Sequence, residues 1–311
     1  MSFHNWRRTP LTRFPPNQRM EKAKGDRAKS TLAADVVASE AVMLPSEPTN
    51  HPDQGLVFNF FLFMAVFYHL AVTQLREYDD LPLSPAEFCD SGGKKPQPCR
   101  REDLIAFQLT CFIPLTTLAV LGLKNWASGQ KLPSSPTERI YGCRPGERLI
   151  LDITQAFQFW DLLMSMLIPH HRTPIMLVHH LLAFLVSWYA SRYTTMLHYS
   201  VFFCAISEVS SVPLCFMDLN KIIGGYFEGW WVEAIKMSFV LLFFVFRVVL
   251  WMGKFTPRLF SDSIYCLELD TEVCRPGLSW HVKFFCAVCL VLGGLQLYWM
   301  GLIIQLALQE M

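Results

Sequence analysis

Charge is scarce in this sequence. Charged side chains make up 17% of its 311 residues, against about 25% in soluble domains. That excludes an ordinary water-soluble globule, the more so because the apolar residues come in long blocks. Formal net charge is +1, so no basic surplus is available for nucleic acid, and no nucleic-acid partner is expected. No G-x-S-x-G occurs, which removes the usual signature of a serine hydrolase. The ten cysteines show no metal-ligand spacing, so no metal centre is predicted. No N-x-[ST] sequon is present to orient the chain. The first thirty residues lack an apolar core, which predicts no cleaved signal peptide.

What the sequence does contain is hydrophobic: 52% apolar residues and 14% aromatics. A helix crosses about 30 Å of hydrocarbon with about 20 mainly apolar residues. Seven segments meet that pattern, at about 55–74, 103–124, 150–169, 174–193, 195–216, 231–252 and 282–305. FNFFLF and SFVLLFFVFRVVLW are the clearest, and 150–169 is the most polar. The expectation is an all-α, polytopic membrane protein. Residues 1–54 read as a basic, disordered cytosolic tail, with an organelle transit peptide as the alternative. Residues 55–102 hold the first span and an acidic loop, and 306–311 form a short C-terminal end.

Orientation follows the Lys/Arg bias. Arg7, Arg8, Arg13, Arg19, Lys22, Lys24, Arg27 and Lys29 place the tail in the cytosol. The 125–148 and 253–280 loops share its side. The 75–102 loop, whose acids outnumber its bases, falls on the lumenal or external side with the C-terminus. There Cys89 and Cys99 could pair. Cys266 and Cys274 could be argued the same way, but they sit on the opposite side in this topology.

Polar residues inside the spans fall on stripes, because one helical face recurs at i+3, i+4 and i+7. The third span gives Thr154, Gln158, Asp161 and Ser165. The fourth gives His180, Ser187 and Ser191, with His179 turned about 100° away beside Ala183 and Ala190. The fifth gives Ser200, Cys204, Ser207, Glu208, Ser211 and Cys215. The sixth gives Lys236 and Arg247, and the seventh Cys286, Cys289, Gly293 and Gln296. Small-residue stripes alone mean helix packing. Stripes that also carry Asp161, His180, Glu208 and Arg247 predict a shared polar cavity, since a charge at mid-bilayer costs about 2.5–3.5 kcal/mol on insertion scales.

The ordered series QAFQFWDLL, LVHHLLAF, AISEVSSVPL and LLFFVFRVVLW resembles the TLC-domain family, which includes the ceramide synthases and smaller multi-span lipid-related proteins. ERIYGCRPGERLILD, just before the Asp161-bearing span, resembles the smaller members. The likeness covers about 103–305, so it implies a six-span domain preceded by one additional span. It also implies membrane lipids and the bilayer as partners, and the endoplasmic reticulum or another endomembrane as location. In the synthases a His pair and a later His-Asp support acyl transfer from acyl-CoA to a sphingoid amine. His179 and His180 match the pair. Ile206-Ser207, followed by Glu208, stands where the His-Asp would be, a departure that counts against ceramide synthesis itself.

The likeness supplies His179 and His180 as expected catalytic residues, and the polar stripes add Asp161 and Glu208. A carboxylate would orient an imidazole, and the imidazole would act as base or nucleophile. Arg247, Lys236, Ser207 and Ser211 are the expected substrate-binding residues, the cations for a phosphate or carboxylate headgroup. The competing reading is an ion pair of Arg247 with Glu208 or Asp161 that only lets both charges enter the membrane. No resident cofactor is expected, and acyl-CoA is the co-substrate that acyl transfer would need. A serine hydrolase built on Ser187 or Ser211, and a metal site from His170, His171, His179 and His180, have weaker support. The function classes are thus a lipid enzyme, a lipid sensor or regulator, and a trafficking adaptor. LALQEM carries no lysine retrieval pattern in support of the last.

Overall fold

The computed structural model describes residues 53–89, 97–128, 133–144, 146–268 and 279–309. The cytosolic-tail expectation and the Cys266–Cys274 pairing concern residues that lie largely or partly outside these. Ten α-helices are named here in chain order: α1 Gln54–Arg76, α2 Glu102–Ala127, α3 Pro136–Tyr141, α4 Glu147–Leu167, α5 Pro174–Tyr193, α6 Leu197–Cys204, α7 Ser211–Ile222, α8 Trp230–Leu242, α9 Thr256–Glu268 and α10 Ser279–Gln309. A π-helical segment, Phe243–Phe255, joins α8 to α9. A 3₁₀ turn, Ile206–Ser210, joins α6 to α7. No strand occurs among the described residues; Ser84 and Cys99 form an isolated antiparallel bridge.

Six helical runs are long and apolar enough to span a membrane, counting α6–α7 and α8–α9 as one each. The protein is all-α and polytopic. The other long helix, α4, carries Glu147, Arg148, Asp152 and Asp161, yet twelve of its 21 residues are buried. It packs against α1, α2, α5 and α6, so its polar groups are kept from lipid by neighbouring helices. By contrast α1 buries only Met64 and Val72 and turns Phe58, Leu62, Val66 and Leu70 outward, as a lipid-facing helix should.

Local chemistry sets the ends. Asp53 Oδ1 accepts from Leu56 N at 3.0 Å to cap α1. Ser135 Oγ accepts from Glu138 N, with Pro136 opening α3. Thr173 and Pro174 start α5 in the same way. The α5–α6 hairpin holds Thr194 and Met196 at positive φ. Met196 is fully buried and its N–H donates to Ile140 O, so tertiary contacts hold a backbone that these residues otherwise avoid.

Two features differ from the sequence expectation. The fifth span is broken at Ala205 and restarts through the 3₁₀ turn. Ala205 there approaches Gly122 of α2 so closely that a Cβ on Gly122 would stand 2.9 Å from the Ala205 Cβ and from Ile206 N. Small residues permit that approach where lipid offers no hydrophobic drive for packing. The region after 252, expected to be a loop, is helical through Glu268. Its Asp262 accepts two guanidinium hydrogen bonds from Arg139 of α3, at 2.5 and 2.8 Å, and a third from Tyr199 OH of α6. This buried clamp fixes one end of the bundle. At the other end Cys89 and Cys99 form a disulfide. Its loop leans on the α4–α5 hairpin through Phe88 against His170 and on α7 through Glu87–Lys221 at 3.3 Å.

Candidate functional site

The interior polar residues form two groups. In the first, α4 and α5 face each other. His180 Nδ1 lies 3.0 Å from Gln158 Oε1 and 3.4 Å from Asp161 Oδ2. Both neighbours are acceptors, so Nδ1 carries the proton and donates. Ser165 Oγ donates to Asp161 Oδ1 at 3.4 Å. The i+3 and i+4 spacing of Gln158, Asp161 and Ser165 along α4 is what lines them up. His180 is thus fixed in orientation and tautomer.

The second group centres on Arg247. Its Nε donates to Ser210 Oγ at 2.8 Å and to Ser207 O at 3.2 Å. Its Nη2 donates to Glu208 Oε2 at 3.0 Å and to Ser211 Oγ at 2.7 Å. Its Nη1 donates to Gln296 Oε1 of α10 at 3.2 Å. Four of the five guanidinium hydrogens therefore have acceptors, and Glu208 neutralises the charge. Ser211 Oγ also donates to Glu208 Oε2, at 2.6 Å. The 3₁₀ turn makes this possible by bringing Ser207, Glu208, Ser210 and Ser211 to one cation. The π-helical run supplies the other side, with Phe243, Arg247 and Trp251 as its buried residues. π-helical turns are uncommon and recur at functional sites.

Between the groups lies an enclosed cavity of about 30 Å³, lined among others by Gln158, His179, Glu208, Arg247, Trp251 and Gln296. His179 and His180 stand edge to face with ring centres 5.1 Å apart, and Trp299 flanks His179 at the same distance. His179 Nδ1 and Trp251 Nε1 are buried with no hydrogen-bond partner. The cavity is small and its wall mostly apolar, with a few polar groups set into it; a single water needs about 10–15 Å³ of such space.

A family model for the TLC domain matches residues 104–305. The chain belongs to the TLC-domain family. No curated protein matches it in sequence. In this TLC domain the structure brings Asp161 and His180 together, and Glu208, Arg247, Ser207 and Ser211 together, with His179 on the cavity wall beside both groups. Lys236 does not join them. It pairs outward with Glu233 at 2.7 Å and is 44% exposed. Eleven residues of helix separate Lys236 from Arg247 by about 16 Å along the axis, and the π-helical run shifts the phase on which their shared face depended.

Neither serine that might have served a hydrolase is set up as a nucleophile. Ser187 Oγ donates to Phe184 O of its own helix, and Ser211 Oγ donates to Glu208 Oε2, an oxygen already held as the counter-ion of Arg247 and so a poor base. The hairpin histidines do not gather around a metal position. His170 and His171 turn to aromatic rings, His171 to Phe107 with centres 4.5 Å apart, and no metal-holding cluster occurs among the described residues. Burial, with positive neighbours, pushes the His171 pKa down to about 4. Helical stripes alone miss Ser210 and Trp251 as members of the site. Ser210 falls off the α-helical stripe of the fifth span. Trp251 counts in hydropathy only as an apolar residue, although its N–H is an obligate donor. Asp152 is missed as well; it accepts from Ser191 Oγ at 2.9 Å and ties α4 to α5.

Proposed function

We propose that this TLC-domain protein acts in membrane-lipid metabolism or homeostasis in the endoplasmic reticulum, with His179 as the group that exchanges protons. The observation that supports it is the contrast within the His pair. His180 is held by Gln158 and Asp161, whereas the buried Nδ1 of His179, without a partner, belongs to a side chain on the cavity wall. In acyl transfer, His179 would accept the proton of the attacking amine or hydroxyl as the thioester of acyl-CoA is cleaved. Asp161 and His180 would hold the neighbouring ring in place, and Trp251 N–H would be a donor for developing negative charge. Sphingolipids are the substrate class that the His pair suggests. Arg247 would serve here through its charge-neutral pair with Glu208, since little of its hydrogen-bonding capacity is left for a headgroup. The disulfide end would face the lumen and the Arg139–Asp262 end the cytosol, in keeping with an oxidising lumen and a basic cytosolic side.

A lipid sensor without chemistry is the second reading. The specific observation in its favour is a second, apolar pocket of about 500 Å³ on the face of α2, α7 and α8, lined among others by Phe112, Val120, Val212, Phe216, Ile235 and Leu242, which suits a hydrocarbon chain and holds no acid or base. Lipid profiles of cells lacking the protein and of cells expressing wild type, His179→Ala or His180→Ala at matched levels separate the two. Catalysis predicts that His179→Ala loses the lipid change entirely. A sensor predicts that the change survives.

A further inference from the structure

Two residues that line one cavity, His179 and Trp251, each hold a buried polar atom without a protein partner. Trp251 Nε1 is a donor and nothing else. Neutral imidazole presents either a donor or an acceptor at Nδ1. Trp251 is 3% exposed, and both orphan atoms are sealed from solvent. Leaving such groups unsatisfied costs about 1–3 kcal/mol each, and more than about nine in ten buried polar groups in folded proteins have a partner. The polar side chains nearby are turned to other groups: Glu208 Oε2 to Arg247 and Ser211, Gln296 Oε1 to Arg247, Gln158 Oε1 to His180.

The cavity has room for about 30 Å³, enough for one or two waters and no more. A hydrocarbon chain is excluded by volume, and a phosphate would meet an arginine already neutralised. We propose that the cavity is a built water site. Its water accepts from Trp251 N–H and hydrogen-bonds to His179 Nδ1, joining the π-helical run to α5.

Gly293 of α10 contributes by absence. A Cβ there would lie 3.2 Å from Trp251 Nε1 and 2.6 Å from Met252 Sδ. Only a residue without a side chain lets the indole N–H sit beside α10 without displacement. This site does not depend on the lipid reading. Its water is held by Trp251 and His179 whatever lipid the protein serves.

Radiolytic hydroxyl footprinting of the intact protein in nanodiscs, read by mass spectrometry, tests it. Radicals made from bound water oxidise the side chains around that water. Trp251 and Cys289 line the cavity; the equally buried Trp160 and Cys215 are internal references. The expected result is several-fold faster oxidation of Trp251 and Cys289 than of Trp160 and Cys215. Trp251→Phe, which keeps a ring and removes the N–H, should bring Cys289 down to the Cys215 rate. Gly293→Ala should do the same by crowding the indole. Oxidation of Trp251 at the Trp160 rate would mean a dry cavity and overturn the proposal. So would an unchanged Cys289 rate in a folded Trp251→Phe variant. If neither variant accumulates, the wild-type comparison of the two tryptophans decides the matter.

Discussion

The Arg247 side and the His179 side of one small cavity handle buried polarity in opposite ways. Arg247 is matched on four of its five donors by groups drawn from the 3₁₀ turn, α7 and α10. His179 leaves a ring nitrogen without a protein partner. Buried charges are paired because an unpaired one is too costly, while a neutral imidazole carries a smaller penalty and can be left poised. The matched side therefore reads as what holds the site together, and the unmatched side as what the site has to offer.

The largest expected effect comes from breaking the matched side. Arg247→Met strands Glu208, whose side chain is 13% exposed, and should destabilise the protein by about 3–5 kcal/mol. It would show as loss of accumulated protein and a lowered melting temperature in detergent. Arg247→Met with Glu208→Gln should recover most of that loss. A double variant no better than the single would mean that the ion pair is not what Arg247 provides.

Within the His pair the contrast is smaller but more telling. His180→Ala removes the partner of Gln158 and Asp161 and should cost about 1–3 kcal/mol. His179→Ala has no protein hydrogen-bond partner to strand at Nδ1 and should lower the melting temperature less. Equal shifts for the two would erase the distinction drawn between them.

His171 carries the same kind of orphan nitrogen in the α4–α5 hairpin, packed on Phe107. Its imidazole is kept neutral, with a pKa of about 4 against about 6.5 when unfolded. As pH falls from about 6.5 toward 4, the unfolded chain takes up a proton that the fold resists, so stability drops over that window. Above about pH 6.5 His171 adds no pH dependence. His171→Phe should flatten the acid limb of a melting-temperature profile; an unchanged limb would rule out this histidine as its source. At the bottom of the scale, Lys236→Ala should alter stability by no more than about 0.5 kcal/mol, as for exposed positions generally. A large change in melting temperature would give Lys236 a role that its outward pairing does not suggest.

Helical periodicity made much of this legible. Apolar blocks marked the long helices, and the steps of three and four from Gln158 through Asp161 to Ser165 put those residues on one face in sequence as in structure. The steps that failed are those where the helix is not α. At Ala205 the chain breaks because α2 presses against it at Gly122, and nothing in AISEVSSVPL announces that contact. At Phe243 the winding loosens to π, so the face shared by Lys236 and Arg247 on a uniform helix is lost. Arg139 and Asp262 lie 123 residues apart, and such a pair is set by tertiary packing rather than by local pattern. The cavity could be anticipated from converging stripes, but its volume could not.

As proposed, His179 is the working member of the pair and His180 its anchored neighbour. The most direct test is the lipid profile of cells lacking the protein, complemented with wild type or with His179→Ala at equal membrane levels. His179→Ala protein should accumulate and insert normally yet restore none of the lipid change made by wild type. Full restoration by His179→Ala would contradict it.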